Sequence, residues 1–225
     1  WSLSNVVWIF TVAIVCLGFA AAFAGKWLEE VGPRTVGVVA AFCWGGGFLI
    51  GGLGIALHQL WLIYLGYGVI GGCGLGLGYV SPVSTLIRWF PDRRGMATGM
   101  AIMGFGGGAM IGMPLGDYLI KANGVGETFF IMGLIYLIAM TIGAFGYRVP
   151  AEGWKPEGWN PVAKKTNNMI SSSHVHVSNA HKTPQFWLLW GVLCLNVSAG
   201  IGVLAVAKPM FQEIAKSSFD PLIIG

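Results

Sequence analysis

The sequence predicts an all-α fold, a polytopic membrane helix bundle, and three observations lead there. Of 225 residues, 55% are hydrophobic and 10% charged, where a soluble domain carries about 25% charged residues. Six runs of about 20 residues contain no Lys, Arg, Asp or Glu, each long enough to cross ~30 Å of hydrocarbon as a helix. Apolar residues do not alternate at period two, so barrel strands are excluded, and backbone hydrogen bonding in lipid then requires helices.

The runs follow in order. Ser4 to Ala24 ends at the charged stretch "AGKWLEEVGPR", and Thr35 to Leu57 ends at the polar pair His58 and Gln59. Leu60 to Ile87 stops at "RWFPDRRG", from which Met96 to Gly116 departs. Thr128 to Tyr147 and Phe186 to Ala207 complete the set. A charge at the centre of any of these would cost roughly 2.5 to 3.5 kcal/mol, which their composition avoids.

Basic residues divide unevenly between the connecting segments. Alternate loops hold Lys26, Arg34, Arg88, Arg93, Arg94, Arg148, Lys155, Lys164, Lys165 and Lys182, against Lys121, Lys208 and Lys216 on the other side. The positive-inside rule places the first group in the cytoplasm of a multi-pass protein of the plasma (inner) membrane. Trp1 then lies outside, and an outside start without signal peptide or initiator methionine implies at least one span ahead of it. An internal piece of a longer membrane protein is the expectation. The net charge of +4 is spread over loops, so no nucleic-acid partner is implied; the partners expected are lipid and the remaining helices of the parent.

Three segments organise the chain: a bundle over 1–147, a cytoplasmic linker over 148–185, and the start of a second bundle over 186–225. The linker carries "VPAEGWKPEGWNP" and the polar "SSSHVHVSNAH", the composition of a solvated tether. Its histidines, His174, His176 and His181, read as solvated polar residues, and no metal site is expected. Cys16, Cys43, Cys73 and Cys194 all fall within spans and read as small apolar packing residues, not as a disulfide or metal framework. Glycines recur every four residues at Gly68, Gly72 and Gly76, and again at Gly104, Gly108, Gly112 and Gly116. Such faces let helices approach closely, and they suit either static packing or the rocking motions of transporters. Pro82 and Pro114 should add bends.

The block "GKWLEEVGPR", with Gly25, Glu29, Gly32 and Arg34 in pattern, resembles the loop between helices two and three of major facilitator superfamily transporters. "RWFPDRRGMATGMAIMGFGGGA" and "TPQFWLLW" resemble the oxalate/formate antiporter family of that superfamily, with monocarboxylate transporters somewhat less similar. The resemblance covers the whole chain and implies helices two to seven of a twelve-helix fold. It further implies a cytoplasmic gate formed by Gly25, Glu29, Gly32, Arg34, Arg88, Asp92, Arg93 and Arg94, in which weak exposed ion pairs act as a latch. Glu29 stands where the family usually has Asp. Gly99, Gly108, Gly112 and Gly116 partly follow an antiporter signature, from which Pro114 and Asp117 depart. A drug-proton antiporter would carry arginine where Tyr67 or Gly68 stands.

No charge lies within the spans to mark a binding site. If the substrate is a small carboxylate, as the resemblance implies, its cationic partners belong to helices outside this chain. Polar lining remains: Tyr79 beside the glycine face of the third span, and Asn196 with Ser198 in the last. Each has a packing role as its alternative. A solute carrier of small organic anions is the favoured function, with a transporter-like sensor or a carrier of another solute as alternatives. An enzyme is disfavoured, because His58 at a turn is the only histidine near the spans and no nucleophile, zinc or phosphate-binding motif occurs. No cofactor is expected.

Overall fold

A computed structural model of the chain describes residues 1–151, 153–156, 158, 175 and 177–218. The described residues are helical, with no strand among them. The chain divides into two compact units, Trp1–Asn160 and Pro161–Gly225.

In the first unit, α1 spans Leu3–Val31, capped by the Ser2 hydroxyl, which accepts from the Asn5 backbone N–H at 3.4 Å. It ends at Gly32, whose N–H donates to the Leu28 carbonyl at 3.0 Å. Helix α2, Pro33–Ala56, begins at the next residue, with Pro33 at a first-turn position where its missing N–H costs nothing. The third crossing is composite. It comprises α3 (Leu60–Ile63), a π-helical segment Tyr64–Gly71 and α4 (Gly72–Trp89). Helix α5 then runs Arg94–Phe145, interrupted at Gly124, where φ is 82° and ψ is 171°. At ~1.5 Å per residue its whole length is far more than one bilayer crossing needs, and Gly124 divides it into two.

Glycine contacts fix how these helices are arranged. A Cβ on Gly72 would lie 2.5 Å from the Ala13 carbonyl oxygen, and one on Gly76 would lie 2.5 Å from that of Leu17. Thus α4 packs parallel to α1 at the closest approach their backbones allow. Helix α2 runs antiparallel to α4, with Gly47 against Gly66 and Gly71, and Gly74 against Cys43 and Trp44. The second half of α5 lies antiparallel along α2, from Ile55 beside Gly126, through Leu137 beside Gly45, to Tyr147 beside Gly37. Tyr136 reaches Gly112, so the halves of α5 also run antiparallel. The all-α membrane bundle predicted from sequence is therefore present. Asn5–Val31, Pro33–Ala56, Leu60–Trp89 and Arg94–Phe145 are long and apolar enough to cross a membrane, the last of them twice.

Buried hydroxyls within the bundle are satisfied locally. Ser81, fully buried, donates to the Leu77 carbonyl at 2.9 Å, and Thr85 to that of Ser81 at 2.7 Å. The two bonds lie on either side of Pro82, whose missing N–H deprives the Gly78 carbonyl of its helical donor, and they keep both hydroxyls paired where lipid offers no partner.

The second unit contains α6, Val177–Ala180, and α7, Pro184–Ser218. Trp187 Nε1 donates to the His181 carbonyl at 2.8 Å, and its ring meets those of Phe186 and Trp190 edge-on. His174 and His176 lie outside the described residues.

Two boundaries differ from the sequence expectation. The charged stretch after Ala24 is not a loop: Gly25 to Val31 continue α1, so Lys26, Glu29 and Glu30 occupy its last turns. Leu, Glu, Lys and Trp all tolerate helix, and only Gly32 breaks it. The connection drawn between Gly116 and Thr128 is likewise helical apart from Gly124.

Candidate functional site

The end of the bundle that gathers the basic residues is formed by three features. Gly32 links α1 to α2, Phe90 to Arg93 link α4 to α5, and the chain leaves α5 through Gly146 to Arg148. The parallel packing of α1 on α4 brings the ends bearing Glu29 and Arg88 to the same side. Gly25 has no neighbour near its Cβ position among the described residues, and Arg88 lies in the last turn of α4. Arg93 precedes α5 and Arg94 is its first residue.

Gly32 has φ 83° and ψ 159°, a region open essentially to glycine alone. Here the motif glycine has a conformational cause. The ion pairs within 4.0 Å among the described residues are Arg93–Asp92 at 3.6 Å and Lys121–Asp117 at 2.8 Å. Neither involves Glu29 or Glu30, so the structure does not bring the acids of α1 onto the arginines of the α4–α5 turn. What does join this end is aromatic: Trp89 Nε1 donates to the Arg148 carbonyl at 2.7 Å, and Trp154 meets the Trp89 ring at 5.2 Å, nearly edge-on. From sequence Trp89 reads only as an interfacial anchor.

Deeper in the bundle, a cavity of about 340 Å³ lies between α2, α4 and both halves of α5. Tyr79 borders it with Trp44, Gly78, Pro82, Gly104 and Met140. The glycines leave the space and Trp44 closes one wall. Behind that wall, Trp44, Phe48, Tyr67, Phe129 and Tyr136 form a connected aromatic cluster with ring centroids 5.0 to 6.1 Å apart. Offset and edge-on pairs of this kind each add about 0.5 to 1.5 kcal/mol beyond area burial. Tyr67 joins the cluster from the π-helical segment, a geometry that concentrates at functional sites. Nothing in the residue pattern signals a π-helix. The four aromatics from α2 and α5 converge only in three dimensions.

The two glycine rows differ in surroundings. Gly68, Gly72 and Gly76 face α1, with Val12, Ala13 and Leu17 close to where a Cβ would be. Gly104, Gly108 and Gly116 face open space among the described residues, and Gly112 meets the Tyr136 hydroxyl at 3.2 Å. Asn196 stands exposed on α7 in the second unit. Among the described residues, no group of three His, Cys, Asp or Glu is arranged to hold a metal ion.

The sequence profile of the Major Facilitator Superfamily matches residues 1–225. The chain belongs to that superfamily. It is 28% identical over 212 residues to the uncharacterized MFS-type transporter YhjX of Escherichia coli K12, a match covering 94% of this chain and 50% of that protein. It is 29% identical over 207 residues to the oxalate:formate antiporter of Oxalobacter formigenes, covering 92% of this chain and 46% of the relative. Monocarboxylate transporter 2 of Meriones unguiculatus is 25% identical over 185 residues, covering 82% and 36%. The chain spans about half the length of the first two relatives. Membership and helical architecture together make it an integral, multi-pass membrane protein of a transporter family.

Proposed function

We infer that this chain forms helices two to seven of a carrier that moves small organic anions, of the oxalate/formate or monocarboxylate type, by alternating access. The observation that carries the reading is the cavity bordered by Tyr79: a small, mostly apolar chamber in the bundle with a phenol at its edge. A phenol donates one hydrogen bond to a carboxylate oxygen, and the surrounding glycines and proline admit a small solute without supplying charge. Neutralising charge would come from helices beyond this chain; Asn196, exposed on α7, is a separate polar candidate for substrate contact. The relatives named for oxalate, formate and monocarboxylates support the substrate class.

Orientation follows the basic residues, which would face the cytoplasm of a plasma (inner) membrane. Gly25, Glu29, Gly32, Arg34, Arg88, Asp92, Arg93 and Arg94 would form the gate on that side. Exposed ion pairs contribute about 0 to 1 kcal/mol each, weak enough to be made and broken in every cycle.

The test is counterflow. The full-length parent, reconstituted in proteoliposomes loaded with formate, should take up radiolabelled oxalate faster than empty vesicles, and Tyr79→Phe should raise KM several-fold. Absence of counterflow with oxalate, formate, lactate and pyruvate would overturn the anion reading.

A further inference from the structure

The cavity bordered by Tyr79 has a volume of about 340 Å³, near the lower end of the range of small-molecule pockets, about 300 to 1,000 Å³. Two of its boundaries differ in kind. On α2, Trp44 borders it, and that ring is held from behind. The Phe48, Tyr67 and Tyr136 ring centroids lie 5.0, 5.7 and 6.1 Å from that of Trp44, and a Cβ on Gly71 would stand 3.5 Å from the indole. The backbone beneath is equally confined, since a Cβ on Gly74 would come within 2.6 Å of the Trp44 nitrogen. Packed against the π-helical segment and the second half of α5, the indole cannot recede without displacing other rings. On the first half of α5 the boundary is the opposite: Gly104 lines the cavity, and a Cβ there would meet nothing within 4 Å among the described residues. Gly78, the other lining glycine, would place its Cβ in ordinary contact with Met140 and Ala40, 3.5 and 3.7 Å away. Gly104 is thus the lining glycine that stands beside empty space.

We propose that Trp44 and Gly104 set the size limit of the transported anion, the indole as a wall that does not yield and the glycine as an opening that no side chain fills. The proposal rests on the anion-carrier reading of the Tyr79 cavity and adds a selection rule to it: short carboxylates are admitted and long-tailed ones are not. Leu75, Pro82, Val83, Ala101 and Met140 complete the lining, so a tail meets apolar groups and is discriminated by volume, not by hydrogen bonding. A misfit of one methylene in such a pocket shifts the competition between two solutes by roughly 10- to 200-fold.

The experiment uses the full-length parent in proteoliposomes loaded with whichever of oxalate, formate, lactate and pyruvate the wild type exchanges fastest, the same anion being radiolabelled outside. Unlabelled pyruvate and phenylpyruvate compete; they share a head group and differ by a phenyl ring. In the wild type pyruvate should compete at least roughly tenfold more strongly, and Trp44→Ala should narrow that gap by roughly tenfold or more. Gly104→Leu acts in the other direction, weakening competition by pyruvate several-fold relative to formate. Because this variant adds atoms where none stand, it decides the matter even where Trp44→Ala fails to fold. Absence of counterflow in the wild type overturns the carrier reading and the size limit together. Wild-type counterflow in which phenylpyruvate competes as well as pyruvate, a folded Trp44→Ala with the gap unchanged, or a Gly104→Leu with wild-type preferences overturns the size limit alone.

Discussion

Gly45, Gly46 and Gly47 are identical neighbours in sequence and different in the fold. A Cβ on Gly45 would meet that of Leu137 at 2.7 Å, and one on Gly47 the Gly66 carbonyl oxygen at 2.6 Å, while Gly46 meets nothing within 4 Å. Alanine at Gly46 should therefore leave stability unchanged or raise it by up to ~1 kcal/mol, since glycine is the poorer helix former. Alanine at Gly47 must push two backbones apart and should cost about 1 to 3 kcal/mol. Thermal unfolding of the full-length parent in detergent would separate the two, and equal midpoints would contradict this packing. The recurrence of glycine every four residues was readable in the sequence, because close helix approach demands small residues at that spacing. Which glycines touch a neighbour was not, since that depends on the partner's face. The open row at Gly104, Gly108 and Gly116 and the packed row at Gly68, Gly72 and Gly76 share one pattern.

At the scale of elements, the helices were legible where charge bounds them and less so where it does not. Uncharged length marked each crossing well enough to locate Pro33–Ala56 within two residues of the run Thr35 to Leu57. Polarity alone makes the charged stretch ending α1 read as a loop, whereas the backbone stays helical up to Gly32. Gly32 and Gly124 share φ near 83° with ψ of 159° and 171°, and both have open space around the Cβ position among the described residues. Replacement by alanine should thus act through the backbone only, at about 1 to 3 kcal/mol each. Limited proteolysis should cut the Gly32→Ala and Gly124→Ala variants at these turns faster than the wild type. If either variant resists as the wild type does, strain is not what selects glycine there. The π-helical segment Tyr64–Gly71 leaves no mark on the hydrophobic period, because a π-turn is a property of how i→i+5 bonds compete locally.

Across the whole molecule, the positively charged end is the feature with most bearing on mechanism. Single cysteines introduced beside Arg34 and Arg94 of a cysteine-free full-length parent should resist an impermeant maleimide in intact cells, and one beside Lys121 should react. Labelling of the first two from outside would reverse the orientation and, with it, the side on which the proposed gate would operate. The tetrad Gly25, Glu29, Gly32 and Arg34 was recognisable because it is short and local. Trp89 closing on Arg148 and Trp154 was invisible because its partners are about 60 residues away in sequence.

The junction at Gly32 leaves a single residue between the end of one crossing and the start of the next. A connection that short has no slack in which to absorb displacement, so a tilt of α1 is delivered directly to the first turn of α2. From there it passes to Tyr147, which rests on Gly37. The bundle is geared at this end, and leverage on one helix is felt by three.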